Sequence, residues 1–242
     1  MPRLILEKTH DFTPSGKPKY AVVLIHGIAS DSSTFNNALK KLEKTAELKD
    51  VRFVTFDLLG SGKSNKSDEL NYDYDDQLEA LHNSISELKL GKIPLILVGH
   101  SLGTFIVTRY AASFNGEVKK LILISPPVYT EKDFDNPAFE KGIKLFKDTV
   151  SLKNHKILEE KAFNNSMEKI VLDRKNYQVL AKLNIPIAII YGNLDRLIAS
   201  YNMPKLLKDN QRIVAFETEG RHGVTRDKYD KLADVLKETI DA

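Results

Sequence analysis

Gly99-His100-Ser101-Leu102-Gly103 sets a serine between two glycines, each two residues away. Serine is a weak nucleophile until a base takes its proton, and this spacing exposes a hydroxyl on a sharp, strained turn. The flanking glycines let the backbone and neighbouring strands approach closely. The chemistry implied is nucleophilic attack on an acyl carbon. A solvent-facing serine on an ordinary glycine-rich turn has the same letters, so the surrounding segments decide. Leu95–Val98 is an apolar run of strand length, and Leu102–Phe114 repeats apolar residues at helical spacing. Ser101 therefore sits at the head of a helix, where the dipole and the free N–H of Leu102 favour a developing oxyanion. A base must reach the hydroxyl, and besides His100 the chain offers His10, His26, His82, His155 and His222. His82 falls inside a helical stretch, where a packed or solvated role is expected. His26 directly follows a buried strand, which points to a structural loop role. His222 lies in Gly220-Arg221-His222-Gly223, a loop able to present an imidazole.

The elements that must position these residues alternate. Apolar runs at Tyr20–Ile25, Val51–Phe56, Leu95–Val98, Lys120–Ile124, Ile187–Tyr191 and Arg212–Phe216 are mostly continuous, as expected of strands covered on both faces. Between them, Thr34–Leu48, Tyr74–Leu90, Leu102–Phe114 and Arg226–Ile240 show helical periodicity, as in Leu78, Leu81, Ile85 and Leu88. Such alternation predicts an α/β fold with a mostly parallel sheet and helices on both faces, because parallel strands need crossover connections. Leu4–Lys8 is expected as an edge strand, and Pro14–Pro18 as a turn. The alternation breaks between Ser125 and Ile185, where helical stretches such as Phe139, Ile143, Phe146 and Val150 replace strands. His155 falls in this region. A single crossover rarely needs so long a segment, so residues 126–185 are expected to form a small helical cap insertion. The core is then 1–125 and 186–242.

Composition narrows the function. The 242 residues are 42% hydrophobic and 29% charged, enough for one sizeable core. Lys plus Arg is 36 against 33 Asp plus Glu, without a basic stripe, so no nucleic-acid partner is expected. There is no cysteine, which excludes disulfides and thiolate chemistry. No apolar run is long enough to span a membrane, and Met1–His10 lacks the apolar stretch of a signal peptide. A cytoplasmic location is expected. Neither His-x-x-x-His nor Glu-x-x-His spacing singles out a metal site, and no cofactor is called for.

The strand, Gly-His-Ser-Leu-Gly at 99–103 and helix, together with His26-Gly27 upstream, resemble the α/β-hydrolase fold superfamily, in particular a serine esterase with a small helical cap. The resemblance covers nearly the whole chain. It implies that the loop after the His-Gly strand supplies a second oxyanion N–H, here that of Ile28, beside Leu102. It implies the order nucleophile, acid, base: Ser101, then Asp195 in the turn after Ile187–Tyr191, then His222. A rival acid position in some relatives follows the preceding strand, where this chain reads Ser125-Pro126-Pro127 with no carboxylate until Glu131. Gly60-Ser61-Gly62-Lys63-Ser64 has the end of a phosphate-binding loop, but such a loop needs glycine at position 57, which is Asp57. The segment is similar instead to an Asp-x-x-Gly-x-Gly-x-Ser turn of small α/β-hydrolases. The expected reaction is hydrolysis of a small-molecule carboxylic ester of short to medium acyl chain, by a monomer or homodimer. Carbon–carbon hydrolases and perhydrolases share the serine triad, but relatives of the former commonly carry a tryptophan soon after the histidine, and this chain has none. A non-catalytic small-molecule-binding member is the competing class. Tyr129, Phe134, Phe139, Phe146 and Phe163 are candidates for an apolar pocket roof, although aromatics at helical spacing also simply join helices.

Overall fold

The computed structural model describes residues 3–114, 116–151 and 159–241. Seven strands form one sheet among these residues: β1 (Glu7–Phe12), β2 (Tyr20–Ile25), β3 (Val51–Asp57), β4 (Leu95–His100), β5 (Val118–Ile124), β6 (Ile187–Gly192) and β7 (Ile213–Thr218). Their order is β1-β3-β2-β4-β5-β6-β7, with β1 antiparallel and the others parallel. The helices are α1 (Asn36–Leu42), α2 (Tyr74–Glu87), α3 (Leu102–Ser113), α4 (Glu131–Phe134), α5 (Pro137–Ser151), α6 (Glu160–Ser166), α7 (Asn176–Lys182), α8 (Met203–Asp209) and α9 (Arg226–Asp241).

The period of two along each strand explains the continuous apolar runs. Val22, Leu24, Ile96, Val98, Ile122, Ile124 and Ile190 face the layer that holds Leu39 and Leu42 of α1 and Leu232, Val235 and Leu236 of α9. Ala21, Val23, Ile25, Leu97, Leu121, Leu123 and Ile189 face the opposite layer, with Ala80, Leu81 and Ile85 of α2 and Phe105, Ile106 and Tyr110 of α3. A strand buried on both sides has no polar face, and each buried Val, Leu or Ile contributes about 1.5–3 kcal/mol of transfer free energy. The chain runs from β2 out to β3 and then returns to β4 on the other side of β2. The crevice between the carboxyl ends of β2 and β4 is therefore the topological switch point, where open parallel sheets place their ligands.

Two elements differ from expectation. The edge strand begins at Glu7, not Leu4: Leu6 is buried and its N–H is taken by Ser84 Oγ at 2.8 Å, so the apolar run packs on α2 before pairing begins. The stretch Thr34–Leu48 is a 3₁₀ turn at Ser32–Phe35, the short α1 and a second 3₁₀ turn at Ala46–Leu48, broken where Thr45 adopts an extended conformation. Residues 126–185 contain α4 to α7 and a π-helical turn at Met167–Val171, with no strand among the described residues. His155 lies outside the described residues.

Candidate active site

Ser101 ends β4 and begins α3, with φ 50° and ψ −115°, a conformation that costs a non-glycine residue on the order of 1–3 kcal/mol. The surroundings hold it there: its N–H donates to the Ile124 carbonyl at 3.0 Å, and its own carbonyl accepts from Thr104 N–H at 2.9 Å. The glycine spacing has a direct steric cause. A Cβ on Gly103 would overlap the Ile25 carbonyl at the end of β2, and one on Gly99 would overlap the Gly103 carbonyl. Only hydrogen at both positions lets α3 start against β2 with the hydroxyl turned outward.

His222 reaches across from the loop after β7. Its Nε2 lies 2.8 Å from Ser101 Oγ, and its Nδ1 lies 2.9 and 3.1 Å from the Asp195 carboxylate oxygens. Asp195, in the turn after β6, is 5% exposed and also accepts the Leu197 N–H at 3.1 Å. Burial pushes the Asp195 carboxyl up, but the His222 imidazole and the Leu197 N–H outweigh it and hold the group below the ordinary aspartate value. The anion is thus the stable form beside the imidazole. The rival position is held by Ser125, a fully buried serine at φ 51°.

Ile28 and Leu102 line the same cavity as Ser101 and His222. Among the described residues neither of their main-chain N–H groups donates to a protein acceptor. The two donors sit at the ends of β2 and β4, on either side of the switch point.

His26 instead fastens the loops beneath. Its Nδ1–H donates to the Gly27 carbonyl at 2.8 Å and its Nε2 accepts the Leu58 N–H at 2.9 Å. Asp57 accepts the N–H groups of Ser32 and Lys63, both at 2.9 Å. Gly62 turns under that carboxylate with φ 51°, where a Cβ would overlap Asp57 Oδ2. The carboxylate takes the Lys63 N–H of the turn, so the turn organises the loop. His10 pairs with Glu43 at 2.6 Å, and His82 stacks on Phe114 with ring centroids 4.1 Å apart.

The cavity above Ser101 has a volume of about 220 Å³. Its roof is the face of α5 carrying Phe139, Ile143 and Phe146, with Tyr129, Met167, Val171 and Leu197 on the walls. Phe134 stands behind this wall, edge-on to Tyr129 and Phe139, and Phe163 is buried in the core without lining the cavity.

Sequence reasoning passed over two groups that touch the His222 loop. His100 Nε2–H donates to the His222 carbonyl at 2.9 Å, and Lys228 Nζ donates to the Arg221 and Gly223 carbonyls. Adjacency to Ser101 was the one trace of His100. Lys228 left none, since a lysine in the first turns of an amphipathic helix ordinarily points to water.

Comparison with known proteins bears on the family and the fold. "Probable lysophospholipase BODYGUARD 5" of Arabidopsis thaliana is 33% identical over 122 residues, covering 50% of this chain and 27% of that protein. The chain thus spans about a quarter of the length of such plant relatives. "Monoacylglycerol lipase ABHD6" of Bos taurus is 23% identical over 261 residues, covering 92% of this chain and 75% of the relative. A carboxylesterase structure from the thaumarchaeon Nitrososphaera gargenis superposes with a TM-score of 0.74 at 20% identity, covering 100% of this chain and 98% of that one. The family model described as alpha/beta hydrolase fold matches residues 20–164, well over half of the sequence, and the chain belongs to that family.

Proposed function

We propose that the protein is a serine hydrolase that cleaves carboxylic esters of short to medium acyl chain through an acyl-enzyme on Ser101. The observation that carries this reading is the relay from Asp195 to His222 Nδ1 at 2.9 Å and from His222 Nε2 to Ser101 Oγ at 2.8 Å, opening into an apolar cavity. Ser101 Oγ attacks the ester carbonyl carbon while His222 Nε2 takes the hydroxyl proton. The carbonyl oxygen becomes an oxyanion, met by the N–H groups of Ile28 and Leu102. The bond from the carbonyl carbon to the alkoxy oxygen then breaks, and His222 returns the proton to the departing alcohol. A water molecule gives a proton to His222 as its oxygen attacks the acyl carbon; the bond from that carbon to Ser101 Oγ then breaks, His222 returns the proton to Oγ, and the carboxylic acid leaves. Asp195 holds the imidazole in one tautomer and stabilises its charged form.

Residues 126–185 act as a cap in this reading, with α5 closing the cavity from above. A cavity of about 220 Å³ lies below the roughly 300–1,000 Å³ of most small-molecule sites, which supports a compact acyl group. The test is burst and steady-state hydrolysis of p-nitrophenyl acetate and butyrate by wild type and Ser101→Ala. The variant should lose several orders of magnitude in kcat. Equal, slow release by both proteins would refute catalysis and leave a ligand-binding member of the family.

A further inference from the structure

The loop that carries His222 contains Gly220, at φ 115°, and Gly223, and glycines leave a backbone many alternatives. Yet the carbonyls of four successive residues are engaged. That of Gly220 accepts the Leu194 N–H at 3.0 Å, and that of His222 accepts His100 Nε2–H at 2.9 Å. Those of Arg221 and Gly223 both accept from Lys228 Nζ, the second at 2.8 Å. Lys228 is the third residue of α9 and is completely buried. This is a costly place for a cation on two counts. Its ammonium has lost water, and the first turn of a helix carries positive partial charge. Burial pushes the Lys228 amine down, and the Asp195 carboxylate opposes that shift. An uncharged, unbranched side chain only one atom shorter, such as methionine, would fill most of this space without either cost. What methionine cannot do is donate to the two carbonyls that flank His222.

We propose that Lys228 is a positioning residue: it clamps the main chain on both sides of His222 and, with His100 on the carbonyl between, fixes the imidazole in line between Asp195 and Ser101. The inference rests on the reading of Ser101, His222 and Asp195 as the reacting relay. Its catalytic weight follows from geometry, because a misplacement of about 1 Å in a reacting group costs on the order of a hundredfold in rate. The charged and titratable groups around His222 are Asp195 after β6, His100 of β4, Lys228 of α9 and Arg196 on the cavity wall.

Lys228→Met removes donor and charge and shortens the side chain by one atom. With p-nitrophenyl butyrate, kcat should fall about tenfold to a hundredfold while KM stays within about twofold. A lysine with a merely structural role would lower the melting temperature and leave kcat of the folded enzyme at the wild-type value; that result overturns the proposal. Lys228→Gln keeps a donor without charge and covers the case in which the methionine variant does not fold. It should lose at least about fivefold in kcat with KM within about twofold, and a wild-type kcat would again overturn the clamp. Ser101→Ala, assayed in parallel, separates the two claims. An inactive Ser101→Ala beside fully active Lys228 variants sinks the clamp alone, whereas an active Ser101→Ala sinks the underlying reading.

Discussion

Mild acid should weaken this fold through two histidines that do no chemistry. His100 is packed so that its Nε2–H donates to the His222 carbonyl, while its Nδ1 is buried without a partner and faces Gly27. Protonating Nδ1 would bury an N–H with no acceptor. Burial, and next the neighbouring His222, push the His100 imidazole down to about 3. His26 is fixed neutral as well: its Nε2 accepts the Leu58 N–H, so a proton there would set two donors face to face, and burial pushes its value down. In the unfolded chain both titrate near the reference value of about 6.5. Below that value the unfolded state binds protons that the folded state refuses, so stability is full above about pH 7 and falls as pH falls. At about pH 5.5 the His100 imidazole costs 2.303RT·log(1 + 10), or about 1.4 kcal/mol, and His26 acts in the same direction. This holds for any folded-state value well below 5.5, so the depth of the shift does not matter. Urea unfolding at about pH 7.5 and 5.5, followed by far-UV circular dichroism because the chain lacks tryptophan, measures the difference. His100→Gln, which keeps a donor for the His222 carbonyl, should lose about 1.4 kcal/mol less between the two conditions. Unchanged or rising stability in the wild type, or an undiminished loss in His100→Gln, would refute the locked-tautomer argument.

Asp195→Asn should give a folded protein whose kcat is lower on the order of a thousandfold or more, because an amide N–H facing Nδ1 selects the wrong tautomer; steady-state ester hydrolysis checks this, and near-normal turnover would move the acid elsewhere. Gly103→Ala places a methyl group into the Ile25 carbonyl, with no side chain able to yield, so we expect a loss of at least about 3 kcal/mol in urea unfolding. A Gly103→Ala protein as stable as wild type would show that the junction of β2 and α3 has slack that its packing denies.

The central strands are legible because parallel strands buried on both faces leave continuous apolar runs, and β2 begins and ends where Tyr20–Ile25 does. An edge strand carries no such mark. β1 is exposed along most of its length, so the apolar residues just before it drew the expected boundary too early. The break of Thr34–Leu48 at Thr45 was hidden for a related reason: Leu39, Leu42 and Leu48 all face the same core although the helix between them stops. Ser101, Asp195 and His222 could be read because each follows a strand end in a recognisable order, and the structure brings them within hydrogen-bond distance. His100 and Lys228 could not. Their partners are main-chain carbonyls, which have no letter in the sequence, and lysine in an amphipathic helix is ordinarily solvated.

The pairing of Ile25 with Gly99 has a consequence beyond packing. In the proposed mechanism the N–H groups of Ile28 and Leu102 lie a few residues past those paired positions, on segments more than seventy residues apart along the chain. What aligns them is the sheet itself. Sliding one strand past its neighbour by a single residue would carry one donor away by about 3.3 Å, more than a hydrogen bond tolerates. The interlocking of Val22, Val23 and Leu24 with Ile96, Leu97 and Val98 therefore acts as a ruler for charge stabilisation, and a substitution deep in the hydrocarbon interior can change turnover without touching a polar atom.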